Sequence, residues 1–390
     1  MIYFDHAATT PMKTEVLDAM MPYLTQNFGN PSSIYQIAQL NKKAIDEARD
    51  TIAKYLGAKP NEIYFTSGGT ESDNWAIKGI AEAYKEKGNH IITSKIEHHA
   101  VIHSCEYLEK HGYEVTYLDV DENGVVDLEQ LKASIRPTTI LITIMYANNE
   151  IGTIMPVEEI GRIAKEHDIP FHTDAVQAVG QIKIDVVKQN IDMLSLSSHK
   201  INGPKGVGAL FIRRGLKVAQ FIHGGGQERG RRGGTENVAG IVGFGKAMEL
   251  TYRNFDKKIA NLVYLRSKLI EGILNNVPYA KLNGHPTNRL ANNVNISFEF
   301  VEGESVLLLL DMQGICASSG SACTSGSLDP SHVLLSIGLP HEKAHGSVRM
   351  TLGEGSTQEE VDEVIEKLPA IIKRMRDMSP LYEEFMKKSK

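Results

Sequence analysis

Asp192-Met-Leu-Ser-Leu-Ser-Ser-His-Lys200, continued by Ile-Asn-Gly-Pro-Lys-Gly-Val-Gly208, decides how this chain folds. A short apolar run passes into small hydroxyl residues, then His199 and Lys200, then a turn rich in Gly and Pro. That is the composition of a buried strand leaving a sheet. Working outward, the pattern recurs. β-type runs stand at 62–66, 90–93, 114–118, 139–146, 170–173, 192–197 and 208–212, with amphipathic stretches at 72–87, 100–111, 127–135 and 156–168 between several of them. In the first of these stretches Ala76, Ile80 and Tyr84 recur on one helical face. Such alternation predicts an α/β fold, a mostly parallel seven-stranded sheet covered by helices on both faces.

After about residue 250 the rhythm changes. A long charged helix is expected over 247–276, then β runs at 293–300 and 314–317, and a closing helix over 357–378. The expected organisation is a large domain over 15–250 and a smaller α+β domain built from 1–14 and 251–390. A chain of 390 residues, 42% hydrophobic, can bury cores of that size. The net charge is −6, and no block of like charge precedes the tail Lys387-Lys388-Ser389-Lys390, so no nucleic-acid surface is expected. The longest apolar runs, such as 305–310, are too short to cross a bilayer. Met1-Ile-Tyr-Phe-Asp-His6 lacks the basic and apolar regions of a secretory signal. Only three cysteines occur, Cys105, Cys316 and Cys323, which favours a reducing compartment over a disulfide framework. The expectation is a soluble, cytoplasmic protein with no membrane or nucleic-acid partner.

A lysine at the end of a buried strand is costly unless it has a partner or a covalent role. Its ammonium loses its proton readily on desolvation, which suits an amine that forms a Schiff base. Lys200 by itself fits equally a lysine emerging into solvent. Upstream, Phe171-His172-Thr173-Asp174-Ala175-Val176-Gln177 is a second strand ending in an acid. Asp174 suits an N-cap, or a carboxylate paired with a pyridinium nitrogen. Two such residues at separate strand ends favour a ligand, because α/β sheets collect ligands there. Thr66-Ser67-Gly68-Gly69-Thr70-Glu71-Ser72 adds a glycine turn and a helix start, whose free N–H groups suit an anion. Alone this is a weak signal; beside Ser197, His199 and Thr235 it suggests a phosphate cup.

These residues carry a resemblance. The chain resembles the NifS/IscS-like cysteine desulfurases, fold-type I pyridoxal-phosphate enzymes of the class-V aminotransferase superfamily. The likeness covers nearly the whole length. It includes Tyr3–Pro11, Thr66–Asn74, Glu97-His98-His99-Ala100-Val101, Asn148–Gly152, Asp174–Gln177, Ser197–Lys200, His223–Gly226, Arg232–Asn237 and Ser318-Ser319-Gly320-Ser321-Ala322-Cys323.

The resemblance implies removal of sulfur from L-cysteine, giving L-alanine and a persulfide on Cys323 that a sulfur-acceptor protein takes over. It implies pyridoxal 5′-phosphate bound covalently by Lys200, which then moves the substrate's Cα proton. Asp174 would face the pyridine nitrogen, Gln177 the ring's 3′-oxygen and His98, rather than His99, the ring face. Gly69, Thr70, Ser197 and His199 would bind phosphate. Thr235 would reach the phosphate in the other subunit of a homodimer. Asn149 would lie beside cofactor and substrate, and Arg349 would hold the substrate carboxylate. His98 is the candidate for deprotonating a thiol near neutral pH. Cys323 stands among small, polar, glycine-containing residues, as an exposed loop requires. Cys105 and Cys316 are expected to serve packing. His6, His103, His111 and His172 lack ligand-like spacing, so no metal site is expected. Rival functions are selenocysteine cleavage, transamination or β-elimination on the same fold, and a sulfur-delivery scaffold.

Overall fold

The computed structural model describes residues 1–319 and 330–388. Its largest sheet has seven strands in the order Ile63–Thr66, Gly208–Ile212, Met193–Ser197, Phe171–Asp174, Thr139–Thr143, His90–Ser94 and Glu114–Leu118. Gly208–Ile212 runs antiparallel to both neighbours; every other pairing is parallel. All residues of six of these strands are buried, whereas Glu114–Leu118, at the sheet edge, is largely open. This is why the sequence shows near-continuous apolar runs rather than alternation: parallel strands are covered on both faces.

The covering layers form two apolar clusters. One contains Ile142, Ile144, Ile160, Phe171, Leu194, Phe244 and Met248. The other contains Trp75, Ile77, Ile80, Val101, Cys105 and Leu141. A third cluster gathers Phe4, Leu265, Leu269, Ile296, Phe298, Val348 and Leu368 around a separate antiparallel sheet of Ser347–Thr351, Asn293–Phe298 and Ala280–Leu282. The N-terminal strand Ile2–Tyr3 pairs with Ile315–Cys316 and so joins this third cluster. Val333, Leu334, Ile337 and Leu339 pack instead into the first cluster.

One element differs from the sequence expectation. Residues 247–276 are not one helix but parts of two, Val238–Arg253 and Phe255–Asn276. Asn254 separates them at φ −129°, ψ 40°, outside helical geometry. Asn favours helix ends over interiors because its amide competes for backbone groups. The helices Thr14–Thr25 and Gln36–Leu56, which pack on Val238–Arg253, were not anticipated.

The parallel strands all end on one side of the sheet. There the chain places Ser67–Thr70, Glu97 and His98, the turn after Thr143, Asp174, and Ser197–Lys200. Ligands of open α/β sheets bind at this edge.

Candidate active site

Lys200 ends the short 3-10 turn Ser198–Lys200 that follows strand Met193–Ser197. Its Nζ donates to the carbonyls of Ala7 and Ala8 at 2.6 and 2.7 Å. The N-terminal segment therefore crosses the strand ends and forms one wall of a cavity of about 250 Å³. Gln177 Nε2 reaches the Ala7 carbonyl at 3.0 Å from the other side. Gly69 and Thr70 open helix Gly69–Ala83, so their N–H groups have no acceptor in the preceding turn. Gly68 adopts φ 154°, which L side chains rarely take, and a Cβ on Gly208 would stand 2.7 Å from Gly68 Cα. Glycine at both places brings the turn against the strand beside Ser197.

His98 is the N-cap of helix His99–Glu109, and its Nδ1 accepts the Ala100 N–H at 3.1 Å. That bond fixes the ring and leaves the neutral imidazole's proton on Nε2. Burial, then the Lys200 charge and the neighbouring histidines, pull its pKa down to about 4. These influences favour the uncharged imidazole at neutral pH. Glu97 holds the turn in place. Its carboxyl accepts Ser94 Oγ at 2.5 Å and the Met145 N–H at 3.0 Å, and burial pushes its pKa up to about 8.

Asp174 ends strand Phe171–Asp174 and accepts the Val176 N–H at 2.9 Å. Burial raises its pKa, while that hydrogen bond and Lys200 oppose the rise. Asp73 is buried alongside, and its pKa also rises, through burial first and then the charge of Asp174. Asp73, His98 and Asp174 each offer one ligand atom within 4.8 Å of the others, the spacing of a cation-binding trio. The Lys200 charge acting on Asp174 opposes a cation there.

Arg349 lies on strand Ser347–Thr351 and is 3% exposed. It donates to Asp5 Oδ1 at 2.9 Å and to the Asn149 carbonyl at 3.1 Å, and its buried Nε has no partner among the described residues. A second anion can use the remaining donors.

The expected residues therefore fall into two groups. Lys200, His98, Asp174, Gln177, Gly69, Thr70, Ser197, His199, Asn149 and Arg349 all line the one cavity. Thr235 does not; it is exposed on the segment leading into helix Val238–Arg253. Cys323 lies outside the described residues. Cys105 is buried in the core, which raises its pKa, and Cys316 is half-buried on strand Ile315–Cys316. Sequence reasoning assigned no role to Asp5, Ala7, Ala8, Asp73 or Glu97. The two alanines act through backbone carbonyls and leave no side-chain signal. The buried carboxyls of Asp73 and Glu97 sit in polar stretches that look solvent-facing.

The donor set fits pyridoxal phosphate. Helix N–H groups with Ser197 and His199 suit a phosphate, and Asp174 suits a ring nitrogen. His98 suits a ring face, and Lys200 suits an aldehyde carbon.

Comparison with known proteins shows the family. The model of the family described as aminotransferase class-V matches residues 2–364. The chain is 61% identical over 380 residues to a cysteine desulfurase, IscS, of Methanosarcina thermophila, covering 97% of this chain and 94% of that one. A solved NifS-like protein superposes with TM-score 0.90 at 39% identity, covering 95% of this chain and 99% of the other. A structure described as SspA in complex with cysteine superposes with TM-score 0.82 at 42% identity, over 92% of this chain and 100% of that one.

Proposed function

The chain belongs to the class-V aminotransferase family, and we propose that its cavity draws sulfur from L-cysteine, leaving L-alanine, with Cys323 as first acceptor of the sulfur. The protein is a pyridoxal-phosphate-dependent cysteine desulfurase. The observation that carries the reading is the convergence of Lys200, Asp174, His98 and Arg349 on one cavity at the carboxyl edge of the sheet. An amine, a ring-nitrogen partner, a ring-stacking group and a carboxylate clamp are what an amino acid on this cofactor requires.

Gly69, Thr70, Ser197 and His199 would hold the phosphate, Asp174 and Gln177 the ring edge, and Lys200 the aldehyde carbon. Bound pyridoxal phosphate supplies an electron sink that weakens the Cα–H bond and then the Cβ–S bond of the attached amino acid. Arg349 orients the substrate through its carboxylate, with Asp5 and the Asn149 carbonyl fixing the guanidinium plane. Lys200 Nζ, poised between the Ala7 and Ala8 carbonyls, takes the Cα proton. His98 Nε2–H faces the cavity as a neutral donor. The Cys323 thiolate attacks the substrate sulfur; the Cβ–S bond breaks, an S–S bond forms, and the carbon skeleton takes up protons to become alanine. Only the thiolate attacks, and a free thiol's pKa of about 8.5 leaves a minority ionised at neutral pH. The persulfide then passes to an acceptor protein serving iron–sulfur cluster assembly, tRNA thiolation or cofactor synthesis. Free thiols at Cys105 and Cys316 support a reducing, cytoplasmic setting. Among the described residues no helix is long and apolar enough to cross a membrane.

The direct test is alanine release from L-cysteine by the cofactor-loaded enzyme in the presence of a thiol reductant. Stoichiometric or better alanine supports the reading; pyruvate and free sulfide without alanine would point to β-elimination instead.

Thr235, exposed and away from its own cavity, is proposed to complete the phosphate site of a second copy in a homodimer. Thr235→Ala should weaken cofactor retention, and mixing it with Lys200→Ala subunits should raise activity above that of either parent alone. Hybrids that stay inactive, or a fully active monomer by sedimentation, would end this assignment.

A further inference from the structure

We propose that Asp73 acts as a neutral acid whose proton holds Asp174 as the carboxylate facing the cofactor, making Asp73 a positioning residue; this rests on the reading of Asp174 as the ring nitrogen's partner. Asp73 is 1% exposed on helix Gly69–Ala83, the helix whose first residues line the phosphate end of the cavity. Its carboxyl, that of Asp174 and a ring nitrogen of His98 lie within 4.8 Å of one another. Two buried carboxylates this close repel each other, so one takes a proton.

The surroundings decide which one. Asp174 accepts the Val176 N–H and feels the Lys200 charge, and both favour its anion. The charges acting on Asp73 are those of Asp174 and Glu97, both acidic. His172 Nε2 stands 3.7 Å away, but burial pulls that imidazole down to about 3 and keeps it neutral. His98 is neutral for the same reason. Glu97 is a third acid whose charge disfavours another. The Ser195 hydroxyl hydrogen-bonds Asp73, the one contact that favours its anion, and also lies 3.0 Å from His172 Nε2. Asp73 Oδ1 is buried and has no hydrogen-bond partner among the described residues, a costly state for an anionic oxygen. A protonated Asp73 instead has one hydrogen to give, and Asp174 is the acceptor we assign.

The experiment follows kcat/KM for L-cysteine and the absorbance of bound cofactor across pH in the loaded enzyme, with thermal denaturation alongside. The acid limb of the cofactor absorbance records protonation of Asp174, whereas that of kcat/KM also carries the ionisation of Cys323. Asp73→Asn keeps a neutral donor and should leave the absorbance limb within about 0.3 pH unit of the parent. Asp73→Ala removes the donor, so the Asp174 anion loses support and the limb should move up by about 1 pH unit. Cofactor affinity should fall several-fold in Asp73→Ala. A downward shift in both variants would mean Asp73 was ionised and repelled Asp174, and would overturn the proposal. An unmoved limb in Asp73→Ala would equally overturn it. If that variant does not fold, Asp73→Val supplies the donor-free comparison. Asp174→Asn in parallel separates the two ideas: full activity there would sink the reading of Asp174 itself, whatever Asp73 does.

Discussion

Lys200→Ala is expected to cut alanine formation from L-cysteine by at least about 10²–10⁴-fold, the contribution of a positioned proton-transfer group, while pyridoxal phosphate still binds. The other ligands of the cavity do not depend on the lysine. Gly69 and Thr70 present N–H groups from a helix start, Ser197 precedes the turn, and His199 is tied to Thr9 Oγ1 at 3.0 Å. What is lost is the amine at the cavity wall and the positive charge acting on Asp174. The variant should thus bind cofactor reversibly, come through gel filtration poorly loaded, and resist fixation by borohydride. In the parent, borohydride should attach the cofactor to Lys200. A substituted enzyme that still turns over cysteine at the parent rate would remove Lys200 from the reaction.

Cys323→Ser should lower alanine formation by at least about 10³-fold, as removal of a nucleophile does. A serine hydroxyl is hardly ionised at neutral pH and does not accept sulfur from a thiol carbon. The variant should still bind L-cysteine, because Arg349, Asn149 and Lys200 are untouched, so the cofactor's spectrum should change on adding substrate. Binding without turnover is the signature of a missing acceptor. Cys105→Ser should keep the activity apart from a packing penalty, since Cys105 is buried in the core beside Val101 and Ile140. Cys316→Ser should do the same from its half-buried strand. A Cys323→Ser enzyme that desulfurates at the parent rate would contradict this division of roles.

The strands of the main sheet were legible because burial on both faces turns each into an apolar run, as in Met193–Ser197 and Gly208–Ile212. Helix Gln36–Leu56 was not. Much of its buried face is Ala38, Ala44, Ala48 and Ala53, small residues that leave a faint period among charged neighbours. Helix Thr14–Thr25 contains Pro22 and exposes Leu17, Met21 and Leu24, which blurs its pattern further. Of the site, the residues at strand ends could be read, since a lysine or aspartate closing an apolar run is conspicuous. What could not be read depends on chain folding over long distances. Asp5 meets Arg349 across 344 residues of sequence, and Lys200 meets the carbonyls of Ala7 and Ala8 across nearly half the chain. The burial of Asp73 was hidden too, because Ser72-Asp73-Asn74 resembles a polar helix face.

The most direct measurement is mass spectrometry of the cofactor-loaded enzyme after brief exposure to L-cysteine, without reductant and followed by digestion. The account predicts a single added sulfur on the peptide that contains Cys323, formed in step with the first alanine and missing from Lys200→Ala. Sulfur on the peptides of Cys105 or Cys316, or alanine released with no sulfur on Cys323, would contradict it.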